Sequence, residues 1–196
     1  MRFGIDLDGC IANFTASVVA IGNSLWPGKF PPSYVPENWN YEGYLTDVEW
    51  AQIWTVIKDT PYFWENETEM DGVAQLRNGI TLPDEVFFIT ARATTKGEPP
   101  AVQSARWLHH RHLWPRAGYS TVLQVEEPKN KQDLFRALKI KFMLDDYAPT
   151  VQQLNQIEID GEPVRAFVLD QPWNRYATEL PRVFSVTEYL NKIRAL

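Results

Sequence analysis

Apolar residues along the chain fall into short runs that stop at polar ones. Arg2-Phe3-Gly4-Ile5 stops at Asp6, Val86-Phe87-Phe88-Ile89 at Thr90, Lys141-Phe142-Met143-Leu144 at Asp145, and Val164 to Leu169 at Asp170. Each run has the length of a strand, and Thr121 to Val125 reads as a further one. Between them, Ala101 to Leu113 and Gln132 to Leu138 carry helical spacing, and Thr187 to Leu196 reads as a closing helix. Strands alternating with helices predict an α/β, Rossmann-like fold with a mostly parallel central sheet flanked by helices. Open parallel sheets bind ligands outside the carboxyl ends of their strands. The four runs therefore aim polar residues at one rim.

The stretch from Phe14 to Asp71 breaks the alternation. Two helical patches, Thr15 to Leu25 and Thr46 to Lys58, flank a connector containing Pro27, Pro31, Pro32 and Pro36. Five of the eight tryptophans fall here, Trp26, Trp39, Trp50, Trp54 and Trp64, together with Tyr34, Tyr41, Tyr44 and Tyr62. The reading is a small, mostly helical insertion after the first strand. Residues 1–13 and 72–196 then form the core and 14–71 the insert.

Composition narrows the class. Hydrophobic residues at 44% and charged residues at 22% describe an ordinary folded chain of 196 residues, about one domain in length. A net charge of −6 argues against a nucleic-acid polymer as partner, which would call for clustered positive charge. Cys10, the single cysteine, has no disulfide partner, the start of the chain does not read as a signal peptide, and no apolar stretch approaches the roughly 20 residues of a membrane span. A cytoplasmic protein is expected. All three histidines lie in His109-His110-Arg111-His112, where neighbours on a helix point apart and no acid or thiol sits at ligand spacing; this reads as a solvated helix end before Pro115.

The chemistry begins at Asp6-Leu7-Asp8-Gly9. Extended geometry puts Asp6 and Asp8 on one side of the chain, and Gly9 permits a sharp turn beside them. Carboxylates so close repel, which calls for a cation or a shared proton. Alone, the motif is equally a strand end with a solvated Asp-Gly turn.

Phe88-Ile89-Thr90-Ala91-Arg92, Lys131 and Met143-Leu144-Asp145-Asp146 follow in this order. The ordered set resembles the four motifs of the haloacid dehalogenase (HAD) superfamily of phosphatases. Lys129 competes with Lys131 for the third, but Lys131 opens the helix-like stretch and has the family's spacing to Asp145. The resemblance implies that Asp6 attacks phosphorus and that Asp8 protonates the leaving oxygen and then activates water. Thr90 and Lys131 would hold the phosphate, and Mg²⁺ would sit on the Asp6 carboxylate, the Asp8 carbonyl and the Asp146 carboxylate. Asp145 would stand behind them, orienting Lys131. Arg92 would reach the substrate phosphate or form a salt bridge to the cap. The family's dehalogenases and phosphonatases lack the aspartate found here at Asp8, so its presence points to phosphate esters. Receiver domains share the residue types in a different order.

An insertion between the first two motifs is where the superfamily's C1 cap lies. Thr60-Pro61-Tyr62-Phe63-Trp64-Glu65-Asn66 with Asp71-Gly72-Val73, and the loop Asp170-Gln171-Pro172-Trp173-Asn174-Arg175, resemble the 5′(3′)-deoxyribonucleotidases. The long connector from Pro27 to Tyr44 departs from that family, and the 170–175 loop is equally a turn after a strand. Aromatic residues suit a nucleobase, and they also suit a core. Phe14, Trp39, Tyr62 and Phe63 are the candidates for substrate contact, being near the insert's ends or in irregular chain. The expected activity is Mg²⁺-dependent hydrolysis of a small phosphate monoester, a nucleoside monophosphate first. A sugar phosphate or other metabolite, or a non-catalytic phosphate-binding role, are the alternatives; an oligomer is compatible with all three.

Overall fold

A computed structural model describes residues 1–71, 73–81, 84–113 and 119–196. Gly72, the expected start of the core's second segment, and Pro115, expected after the histidine-bearing helix, lie outside the described residues. In chain order the elements are β1 (Arg2–Ile5), α1 (Phe14–Leu25), α2 (Asp47–Asp59), α3 (Val73–Gly79), β2 (Glu85–Thr90), α4 (Pro100–His110), β3 (Tyr119–Gln124), α5 (Lys131–Leu138), β4 (Phe142–Asp145), α6 (Ala148–Leu154), β5 (Glu158–Ile159), β6 (Glu162–Pro163), β7 (Arg165–Leu169), β8 (Arg182–Val183) and α7 (Val186–Arg194).

Six strands form one sheet in the order β3-β2-β1-β4-β7-β8, all parallel, while β5 and β6 make a small antiparallel hairpin. Side chains alternate across the sheet and divide the core in two. Phe3, Ile5, Val86, Phe88, Leu144 and Phe167 face a layer that includes Trp107 of α4 and Tyr189 and Leu190 of α7. Phe87, Ile89, Met143, Ala166 and Val168 face Phe135 of α5 and Val151 and Leu154 of α6. Because both faces are covered, the strands read as near-continuous apolar runs rather than alternating ones. The chain lays strands outward from β1 in one direction and then returns to lay β4, β7 and β8 in the other. The reversal falls between β1 and β4, where such sheets open a crevice.

Residues between β1 and α3 build a third, aromatic cluster around Phe14, Val18, Phe30, Tyr41, Ile53, Ile57 and Trp64. Its helices are capped locally. The Asn13 side chain accepts from the Ala16 N–H at 3.0 Å, and Thr46 with Glu49 forms a capping box. The two connections to the core run side by side, with Asn13 N–H donating to Thr68 O and Met70 N–H to Ile11 O, each at 2.8 Å. Among the described residues no helix is long and apolar enough to cross a membrane.

Gly22 shows how tightly the aromatic cluster closes. It lies inside α1, where alanine would gain about 1 kcal/mol of helix propensity, but a Cβ there would run into the ring of Phe30, itself 2% exposed. Overpacking of this kind costs about 1–3 kcal/mol, so the clash wins. Gly22→Ala is expected to lower the melting temperature by a few degrees in a thermal melt; an unchanged or raised value would show that Phe30 has room to yield.

Candidate active site

At the reversal point, the ends of β1 and β4 are neighbours, and the Asp6 N–H donates to Leu144 O at 2.9 Å. This pairing sets Asp6 beside Asp145 and Asp146, with carboxylate oxygens of all three within 4.8 Å of one another. Past Asp6 the chain winds around one acceptor. Leu7 O receives the N–H groups of Cys10, Ile11 and Ala12 at 3.2, 2.9 and 2.8 Å, closing a tight loop that presents Asp8. Gly9 makes the turn at φ +74°, and a Cβ there would collide with Asp146 Oδ2. The glycine therefore serves both the turn and the close approach of the two acidic loops.

Lys131, at the start of α5 and 3% exposed, donates to Asp6 Oδ1 at 2.8 Å and to Asp145 Oδ2 at 2.7 Å. Burial works against its ammonium, yet Asp145 and Asp6 hold it above its ordinary value. Lys129, the alternative from sequence, points to solvent and pairs with Glu127. Burial pushes the Asp6 carboxyl up to about 7; Lys131 opposes that rise, and Asp145 and Asp8 add to it. Burial, reinforced by Asp6 and Asp145, likewise raises Asp146 well above the carboxylate range. Asp145 spends both oxygens inside the protein, on Lys131 and on the Tyr147 N–H at 2.9 Å. Asp6 and Asp146 each use one, since Asp146 Oδ2 accepts from Trp173 Nε1 at 2.9 Å. Among the described residues, three crowded carboxylates against one ammonium, with one oxygen left on each of Asp6 and Asp146, fit a hard divalent cation such as Mg²⁺.

Asp8 lies on the other side of the loop. Thr90 Oγ1, at the end of β2, donates to Asp8 Oδ2 at 3.4 Å, and Arg92 grips both oxygens, with Nε at 3.0 Å from Oδ2 and NH2 at 2.7 Å from Oδ1. Arg92 NH1 donates to Ser104 Oγ at 2.9 Å, NH2 also meets Glu67 Oε2, and the guanidinium stacks 4.8 Å from the Trp64 ring. Of the two places expected for Arg92, a substrate phosphate or a salt bridge to the insert, the geometry has the second. The side chain lines the cavity, but every guanidinium nitrogen is already engaged and the residue is 3% exposed. The salt bridge is to Glu67, which no motif in the sequence singles out. Glu67 is buried, its carboxyl is pushed well up by that burial, and its own carbonyl accepts from Trp107 Nε1 at 2.8 Å.

The acids and Lys131 floor a cavity of about 210 Å³ whose walls are Phe14, Trp39, Trp54 and Trp64. Phe14 stacks at 6.0 Å on both Trp39 and Trp64. Tyr62 and Phe63, expected to contact substrate, are not among the lining residues. Tyr62 takes a left-handed turn (φ 55°) and lies over Gly97, and Phe63 packs edge-on against Trp64 at 4.8 Å. Trp64 and Trp54 take those places on the wall. The 170–175 loop ends at the same site, with Gln171 Nε2 donating to Gly9 O and Asn174 Nδ2 to Asp146 O, both at 2.9 Å. The three histidines are exposed and belong to no metal-ligand cluster among the described residues, and Cys10 is buried.

Comparison with models of protein families finds no match, and comparison with curated proteins finds none either. Among solved structures, the chain is similar to a HAD-superfamily hydrolase, subfamily IA, variant 1, from Geobacter sulfurreducens PCA. The match covers 98% of this chain and 96% of that one, at a TM-score of 0.57 and 12% identity. The two chains share a fold. At that identity the likeness speaks for the HAD-like architecture alone, and the chemistry rests on the residues above.

The acid cluster predicts an inverted pH dependence of stability. With its folded value near 7 against an ordinary 3.8, Asp6 keeps its proton in the folded state and loses it in the unfolded state between those limits. The stability it contributes therefore falls as pH rises through that window. In EDTA, the melting temperature should drop between pH 5 and pH 8. Mg²⁺ should restore it at pH 8 and add little at pH 5, where it must displace protons. A melting temperature that rises over the same range would contradict the arrangement.

Proposed function

We propose that this chain is a HAD-type phosphatase, a Mg²⁺-dependent phosphomonoesterase with nucleoside monophosphates, 5′(3′)-deoxyribonucleotides first, as its substrates. In this reading residues 14–71 are a C1-type cap over a core of 1–13 and 72–196. The observation that carries it is the convergence of Asp6, Asp8, Thr90, Lys131 and Asp146 on one aromatic-walled cavity. A phosphate seated there meets a carboxylate for attack, a second carboxylate two residues on, and an ammonium and a hydroxyl as donors.

One oxygen of the Asp6 carboxylate attacks phosphorus while the other stays with Lys131 and the cation side of the site, and the bond from phosphorus to the ester oxygen breaks. Asp8 gives its proton to that departing oxygen, and an aspartyl-phosphate remains on Asp6. Asp8 then takes a proton from water as the water oxygen attacks phosphorus, which frees phosphate and restores the Asp6 carboxylate. Lys131 donates to the phosphate oxygens throughout, and Thr90 turns its one hydroxyl proton from Asp8 to them when phosphate is present. The Asp6 and Asp146 carboxylates, with the Asp8 carbonyl, would hold Mg²⁺, whose charge when bound offsets the repulsion between anionic phosphate and Asp6.

The aromatic walls favour a planar group over a sugar, which asks for hydrogen-bonding side chains. One observation favours a smaller phosphorylated metabolite. A cavity of about 210 Å³ is below the roughly 300–1,000 Å³ usual for ligand sites, so a nucleotide requires the insert to move away from the core.

Phosphate release from deoxyribonucleoside and ribonucleoside monophosphates, sugar phosphates and simple esters, each with Mg²⁺ and with EDTA, separates these readings. Mg²⁺-dependent release with a preference for base-bearing esters is expected. Equal rates on esters without a base would select the metabolite reading, and tight binding without turnover the non-catalytic one. Asp6→Asn should bring release to background in a folded protein, and Lys131→Ala should slow it by on the order of 10²–10³.

A further inference from the structure

The turn after β7 reaches into the acid cluster with three side chains, each on a different acceptor. Gln171 Nε2 donates to Gly9 O at 2.9 Å, Trp173 Nε1 to Asp146 Oδ2 at 2.9 Å, and Asn174 Nδ2 to Asp146 O at 2.9 Å and Leu169 O at 2.7 Å. Arg182 fixes the turn from below, with NH1 on Asn174 Oδ1 at 2.6 Å and on Asp170 Oδ1 at 2.8 Å. One clip thus ties together the loops that follow β1 and β4.

Trp173 has a second contact that its neighbours in the clip lack. Its ring, 7% exposed, meets the ring of Trp39 at 5.7 Å and 58°. Trp39 belongs to the insert and stacks on Phe14 at the cavity wall. An indole has one donor and no acceptor, and here that donor occupies Asp146 Oδ2, leaving Oδ1 as the oxygen that can serve a cation. A ring placed only to fill space has no need of a donor on a carboxylate.

We propose that Trp173 is a positioning residue: its N–H sets the Asp146 carboxylate for the divalent cation, and its ring relays the position of the insert, through Trp39, to that carboxylate. The inference rests on the Mg²⁺ reading given under Proposed function. Partners that hold a metal-ligating carboxylate typically account for 10–100-fold in affinity.

The test is calorimetric titration of Mg²⁺ into metal-free protein without substrate, with circular dichroism as the check on folding. Trp173→Phe keeps a ring against Trp39 and removes the N–H; Mg²⁺ binding weaker by roughly 10–100-fold is expected. Trp39→Ala keeps the N–H and removes the ring's support, and a smaller, several-fold weakening is expected. A tryptophan with a merely structural role would lower the melting temperature and leave the affinity of the folded protein unchanged. Wild-type affinity in folded Trp173→Phe overturns the positioning role. Weakened binding in Trp173→Phe with unchanged binding in Trp39→Ala overturns the relay and supports the rest. If Trp173→Phe does not fold, Trp39→Ala decides the relay, with unchanged affinity overturning it, and Trp173→Leu takes the place of Trp173→Phe, with wild-type affinity overturning the positioning role. Absence of Mg²⁺ binding by the wild type overturns the metal reading itself, and this inference with it.

Discussion

Repulsion among carboxylates is the constraint around which this molecule is arranged. Asp6, Asp8, Asp145, Asp146 and Glu67 gather at the mouth of one parallel sheet, and two buried cations answer them. Each cation bridges a pair: Lys131 joins Asp6 to Asp145, and Arg92 joins Asp8 to Glu67. Burial is the first reason that Asp6 and Asp146 resist ionisation, and the under-compensation of five acids by two cations adds to it. Replacing Lys131 by a neutral side chain would strand two buried acids and replacing Arg92 would strand buried Glu67, a change that costs about 3–5 kcal/mol in comparable pairs. The same imbalance makes the cluster receptive to a divalent cation, so crowding and burial together bear on both the raised acids and the chemistry proposed for them.

The parallel sheet is what makes such crowding possible. Strands laid side by side in the same sense all end at one edge, and the reversal between β1 and β4 leaves that edge open at the centre. For this reason much is legible in the sequence. A fully buried parallel strand is a solid apolar run, so the polar residue that ends it stands out, and Asp6, Thr90 and Asp145 are recognisable as run ends from the amino-acid order alone. Helices α3 and α6 leave no such mark, because seven residues hold too few turns to show a period. Strands β5, β6 and β8 have two residues each, below what any pattern reveals.

What the sequence conceals is the layer behind the strand ends. Glu67 lies 25 positions from Arg92, and Trp173 27 from Asp146. Neither pairing leaves a local pattern, since an isolated glutamate or tryptophan looks the same whether it faces water, core or a ligand. Arg92 shows the same limit: next to a motif threonine it reads as a phosphate donor or as a salt bridge to the insert, and only the fold brings Asp8, Glu67, Ser104 and the Trp64 face around it. The aromatics read as either core or pocket, and Phe14, Trp54 and Trp64 serve both, packed into the insert's cluster while walling the cavity.

This double use ties the insert to the chemistry more closely than a lid resting on a surface would. The two passes that join it to the core, 11–13 and 68–70, are hydrogen-bonded to each other, and they begin beside the Asp8 loop and the Glu67 carboxylate respectively. Glu67 reaches Asp8 through Arg92, and Arg92 lies against Trp64 of the insert. Any displacement of the insert would therefore move groups that bear on Asp8, and through Trp39 and Trp173 groups that bear on Asp146. Cavity size and electrostatics are thus not independent in this protein. The insert that walls the cavity is in contact, through Trp64, Glu67 and Trp39, with Arg92 and Trp173, the residues that hold Asp8 and Asp146.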